Sequence, residues 1–97
     1  MLTSKQRALL RSMANGLDTI IQIGKDGVTD SVAQSAADAL RARELIKGRV
    51  LESAMLTARE ACEMLCLKVD AEPVQCIGSR FVLYKRNPQK PVIDLGK

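Results

Sequence analysis

Residues 24–27 read Gly-Lys-Asp-Gly, between an apolar run, Ile20-Ile21-Gln22-Ile23, and a helix-start pattern, Val28-Thr29-Asp30. The chemistry this arrangement offers is anion binding. Glycine admits backbone conformations closed to other residues and removes the side-chain bulk that would hold a ligand off the main chain. The N-terminus of the following helix carries unpaired N–H donors and a partial positive charge, and Lys25 adds a full one. Together these groups suit a phosphodiester oxygen. Asp26 pulls in two directions: it repels a bound phosphate, or it turns back to cap local amides. Gly-x-x-Gly by itself also fits a plain strand-to-helix connection, so its weight comes from its surroundings. The chain has neither Gly-x-Gly-x-x-Gly nor Gly-x-x-x-x-Gly-Lys-Ser/Thr, which disfavours mononucleotide binding.

Cations recur outside the loop. Lys5, Arg7 and Arg11 lie near the N-terminus, Lys47 lies mid-chain, and Arg80, Lys85 and Arg86 lie near the end. Fifteen Lys and Arg stand against eleven Asp and Glu over 97 residues, a net charge of +4. Gathered on one surface, they would displace counterions from a nucleic acid backbone. Scattered, they are only a solvated surface. Phe81 and Tyr84 are the two aromatic residues of the sequence. That scarcity argues against readers that stack single-stranded bases on several rings and favours recognition by shape and phosphate.

Other chemistries find little support. Histidine is absent, which removes Ser-His and Cys-His nucleophile systems and histidine metal sites. Cys62, Cys66 and Cys76 lack both a fourth partner and the usual spacing for zinc; as small hydrophobes they fit a core. The carboxylates are scattered without a paired set, so no enzyme, metal or cofactor is expected. Lys5, Arg7 and Arg11 interrupt the first apolar residues, unlike a signal peptide, and no run reaches the ~18 apolar residues of a membrane span. A cytoplasmic protein with reduced thiols, no membrane association and no small-molecule substrate is the expectation.

The elements that must position these groups follow from caps and periodicity. Thr3 with Gln6 forms a capping box, Leu9, Leu10, Met13 and Leu17 recur at helical spacing, and Asn15-Gly16 supplies a stop. Thr19–Ile23 reads as a strand covered on both faces. Thr29 caps a second helix with Ala33, Ala36, Ala37 and Leu40 on one face and Arg41 and Arg43 at its end. Leu45–Leu51 reads as a strand in which Gly48 marks a bulge or a close backbone contact. Thr57 and Glu60 open a third helix to about Lys68, with Ala58, Ala61, Cys62 and Leu65 inward. Val74–Ile77 and Phe81–Lys85 form a hairpin about a Gly78-Ser79-Arg80 turn. The order α-β-α-β-α-β-β predicts an α/β fold, a four-stranded mixed sheet with three helices, parallel early and antiparallel at the hairpin. Residues 1–86 form the domain, and 87–97, with two prolines, an extended or mobile tail.

Four segments in this order resemble one family: LTSKQRALLRSMA, IIQIGKDGVTDSV, ALRARELIKGRV and QCIGSRFVLYK. The resemblance is to the CRM domain (chloroplast RNA splicing and ribosome maturation), found in bacteria as stand-alone YhbY-like proteins, and it covers about residues 2–86. It implies an RNA-binding protein of the large-subunit ribosomal precursor, a pre-50S particle, and a fold similar to the C-terminal domain of a bacterial translation initiation factor. The family's Gly-x-x-Gly loop, likened to the one by which KH domains clamp a nucleic acid backbone, maps onto Gly24, Lys25, Asp26 and Gly27. Its basic surface maps onto Lys5, Lys25, Lys47 and the hairpin charges Arg80, Lys85 and Arg86; Arg7 and Arg11 of the first helix join them as candidate RNA contacts on their charge. Lys85 departs from a common arginine, turning any bidentate contact into a point charge, and Gly48 replaces what is often an apolar β-branched residue. The function expected is a monomeric, non-catalytic factor binding ribosomal RNA during ribosome assembly. The alternative is a protein-interaction module docking through the sheet or the C-terminal tail.

Overall fold

Each α-helix begins at a threonine whose hydroxyl takes up a donor that the first turn cannot use. Thr3 Oγ1 accepts the Gln6 N–H at 3.1 Å while Gln6 Oε1 accepts the Thr3 N–H at 3.0 Å. Thr57 and Glu60 repeat this reciprocal pair at 3.1 and 2.9 Å, and Thr29 Oγ1 accepts from Val32 at 3.1 Å. The computed structural model describes residues 2–89 and 91–93. Along them run α1 (Ser4–Ala14), β1 (Thr19–Ile23), α2 (Asp30–Arg43), β2 (Leu45–Val50), α3 (Ala58–Val69), β3 (Glu72–Ile77) and β4 (Arg80–Tyr84). This is the expected α/β order. The sheet is mixed, with strand order β1-β2-β4-β3: β1 and β2 are parallel, and β4 pairs antiparallel with both β2 and β3. Arg80 lies in β4 rather than in the turn, and β3 starts at Glu72, two residues before the expected position.

Alternation along β2 and β4 divides the interior into two cores. Ile46, Val50, Phe81 and Leu83 join Ile21 and Ile23 under α2 and α3, with Ala36, Leu40, Ala61 and Leu65. Leu45, Val82 and Tyr84 face the other way, under α1, with Leu2, Leu10, Ala14 and Val74. Gly48 lies on the α2/α3 side, opposite Phe81. A Cβ there would fall 2.3 Å from Phe81 Cζ, so close ring packing is what Gly48 serves; the register shift of the β1/β2 pair, between Thr19 and Ile21, borders Gly48 with the extra residue in β1.

Two sequence readings need correction. β1 is an edge strand and is covered on one face only: Ile21 and Ile23 are buried, Ile20 and Gln22 exposed. In α1 the buried residues are Leu10 and Ala14, while Leu9 and Met13 remain 43 % and 41 % exposed. Both follow from α1 covering only the half of the sheet around Leu45, Val74, Val82 and Tyr84.

Beyond β4 the chain returns to the body at Glu44. This residue ends α2 with φ of 64°, a position where glycine is usual, and it is fully buried. Its carboxylate accepts the N–H of Asn87 at 2.6 Å and of Val92 and Ile93 at 2.7 Å each. Ile93 packs on the α1-side core. Burial pushes the Glu44 carboxyl upward, but the Asn87, Ile93 and Val92 amides and the Arg86 charge outweigh it and hold the group below its ordinary value. Lys90 and Asp94–Lys97, the rest of the expected tail, lie outside the described residues. Among the described residues no helix is long and apolar enough to cross a membrane.

Candidate nucleic-acid interface

The Gly27 N–H donates to the Gly24 carbonyl at 2.9 Å, closing a four-residue turn. Gly27 has φ of 72°, a left-handed conformation that side chains resist, so the turn itself requires the second glycine. The first is different: a Cβ on Gly24 would meet Leu51 Cδ1 at 3.9 Å, an ordinary contact. The helix-end donors expected after the loop are partly spent, since Thr29 donates to the Gly27 carbonyl at 3.1 Å and Val32 to Thr29 Oγ1. The Lys25 and Asp26 N–H groups, on exposed residues at the tip, meet no acceptor among the described residues. The loop therefore offers two amides and Lys25 Nζ. The Asp26 carboxylate accepts no hydrogen bond among the described residues, so local capping is not its role.

One row of residues crosses the α1 side of the sheet beside this loop. Gln22 pairs with Arg49, Arg49 with Arg80, and Arg80 with Ile77. All four are exposed, Ile77 by 65 %. The next row toward α1 includes half-buried Lys47 and buried Val82, so the helix layer begins there and the Gln22–Ile77 row lies open. α1 brings Lys5, exposed, and Arg7 and Arg11, half-buried, to the same side.

The ion pairs lie on one side of the molecule. On the α2/α3 layer, Arg41 bonds Asp38, Arg59 meets Glu63 at 3.5 Å and Lys68 meets Asp30 at 3.4 Å, while Arg43 at the end of α2 meets no acid among the described residues. Lys5, Arg7, Arg11, Lys25, Lys47, Arg49 and Arg80 meet no acid among the described residues. Lys85 lies apart from the loop, beyond the far end of β4, where its Nζ donates to the Val69 carbonyl at 2.8 Å. It serves the C-terminus of α3, where free carbonyls attract a cation.

Arg49 is the residue that sequence reasoning missed. The signal was its two-residue spacing from Lys47 in a strand, which puts both on one face; which face stays uncovered depends on where α1 lands.

The thiols divide as well. Cys62 and Cys66 are buried and Cys76 is exposed, so the core reading holds for two of three. The Cys66 thiol beside it, then burial, pushes Cys62 upward, and burial, then Cys62, pushes Cys76 up to about 11. Both stay protonated near neutral pH and make poor nucleophiles.

The CRS1/YhbY (CRM) domain model matches residues 2–85. The chain is 42 % identical over 95 residues to the probable RNA-binding protein YqeI of Bacillus subtilis, covering 98 % of this chain and 99 % of that one. A Haemophilus influenzae protein named RNA-binding protein is 29 % identical over 91 residues, covering 94 % and 92 %. The solution structure of SAV1595 from Staphylococcus aureus superposes with a TM-score of 0.73 at 38 % identity, over 90 % of this chain and 91 % of that one.

Proposed function

The chain belongs to the CRS1/YhbY (CRM) domain family, and from that premise we propose that it is a non-catalytic RNA-binding protein acting in ribosome assembly. Its ligand in this reading is ribosomal RNA of the large-subunit precursor, met in the cytoplasm by a monomer. The observation that carries it is the unpaired set of cations on the α1 side of the sheet and in the loop, where the α2/α3 layer pairs three of its four, Arg41, Arg59 and Lys68. Cations with no internal partner can neutralise the phosphates of a polyanion and release the counterions condensed on it, without first breaking an ion pair. The names of the relatives support RNA as that polyanion; the ribosomal precursor comes from the family resemblance. Gly24 lets a phosphate approach the Lys25 and Asp26 amides, Lys25 neutralises it, and Arg7, Arg11, Lys47 and Arg80 extend the footprint.

Crosslinking the tagged protein in cells and sequencing the attached nucleic acid tests this. Reads concentrated in large-subunit ribosomal RNA, with the protein co-sedimenting with precursor particles, are the expected result. Reads spread in proportion to cellular RNA abundance would contradict it. The protein-interaction alternative, docking through the sheet, draws on Ile20 and Ile77, which stand exposed at 37 % and 65 %. Particle association that persisted after nuclease treatment and at high salt would favour it.

A further inference from the structure

We propose that the ligand of the open sheet face is an RNA duplex, held at two phosphate stations, the Gly24–Gly27 turn and the Arg49–Arg80 pair. The inference rests on the RNA-binding reading and names the form of RNA.

Arg49 and Arg80 are direct partners across β2 and β4, so their side chains leave the sheet on one side. Like charges placed opposite each other weaken a strand pair, and no acid among the described residues relieves these two. A phosphate between them does. Two guanidinium forks converging on one anion can each donate two hydrogen bonds, which a lysine cannot do.

The surroundings select the form. The Gln22–Arg49–Arg80–Ile77 row spans three strand spacings, a floor of roughly 14 Å. Phe81 and Tyr84, the chain's two aromatic residues, are both buried. The face therefore gives unpaired bases no ring to stack on, and stacking is what holds single strands in sequence-tolerant sites. What it gives is charge fixed on a rigid sheet, with a turn of main-chain donors at its rim. A duplex keeps its bases inside and sets its phosphates at regular spacing, and such RNA is read through phosphates and 2′-hydroxyls.

The test is fluorescence anisotropy of the full chain with an RNA hairpin and with an unpaired strand of equal length, over a series of potassium chloride concentrations. The wild-type chain, Lys25→Ala and the Arg49→Ala/Arg80→Ala double variant are compared. Circular dichroism checks folding, which two exposed side chains should not disturb. The expected result is tighter binding of the hairpin by the wild-type chain. The double variant should lose on the order of tenfold or more in hairpin affinity and roughly one to two units of salt slope. A preference for the unpaired strand overturns the inference. So does a double variant that binds the hairpin like wild type while Lys25→Ala weakens it, a result that leaves the RNA-binding reading standing. Binding of neither RNA by the wild-type chain defeats that reading as well.

Discussion

Under α2 and α3, one face of the sheet buries Ile21, Ile23, Ile46, Val50, Phe81 and Leu83, and three of the four cations on those helices, Arg41, Arg59 and Lys68, are engaged by Asp38, Glu63 and Asp30. On the other face α1 covers Leu45, Val82 and Tyr84 and stops, leaving Arg49 and Arg80 opposite each other in the open. The same strands thus supply both faces, residue by alternate residue. The covered face satisfies most of its charges within the chain. The open one leaves charge unsatisfied, and its like-charged pair costs the sheet a little stability. Groups left unsatisfied where the fold does not require it are where a ligand is to be sought.

Substitutions should therefore separate into those that cost folding and those that cost binding. The largest effect on folding belongs to Gly48→Ala. Its Cβ would meet Phe81 ring atoms at 2.3, 2.5 and 2.9 Å, and Phe81 is itself buried. Overpacking of this kind costs about 1–3 kcal/mol, occasionally more, read as a lower midpoint in denaturant, while the salt slope of RNA binding measured on the folded variant stays put. A midpoint equal to wild type would show that the covered face is looser than described.

Glu44→Gln comes next. One amide oxygen can still accept from Val92 and Ile93, but the amide nitrogen then faces the Asn87 N–H, donor against donor. Losing a charged acceptor is expected to cost about 1.5–3 kcal/mol. Because the folded-state pKa of Glu44 is depressed, its contribution is fully present above the unfolded value, near 4.5. It is lost as pH falls through the folded value. Urea unfolding at a series of pH values below 5 should thus show a steeper fall for wild type than for Glu44→Gln. Parallel curves would mean that the tail is not fastened by this charge. The smallest effect belongs to Asp38→Ala, which removes the partner of exposed Arg41: within about 0.5 kcal/mol of wild type, with RNA affinity unchanged.

Local rules made much of this molecule legible. Both capping boxes, the Thr29 cap, the strand–loop–helix at Gly24–Gly27 and the element order rest on neighbours within a few residues, and all are where the sequence puts them. What the sequence hid depends on distant contacts. Glu44 meets amides 43 to 49 positions away, and Lys85 closes a helix 16 positions back. An exposed Leu9 or Ile20 reads as core until the extent of α1 on the sheet is known. Arg49 is the instructive case: alternation gives its side, and only the bare half of the sheet gives that side meaning.

The central claim is that position on the open face, and not net charge, determines RNA binding. The direct measurement compares two charge-matched triple variants with the wild-type chain, by the salt dependence of their affinity for one RNA hairpin. Lys25→Ala/Arg49→Ala/Arg80→Ala strips the open face; Arg41→Ala/Arg59→Ala/Lys68→Ala strips the covered layer of as many positive charges. The account predicts a collapse of affinity and a salt slope lower by roughly two to three units for the first, and near-wild-type values for the second. Equal losses in both, or loss confined to the second, would contradict it.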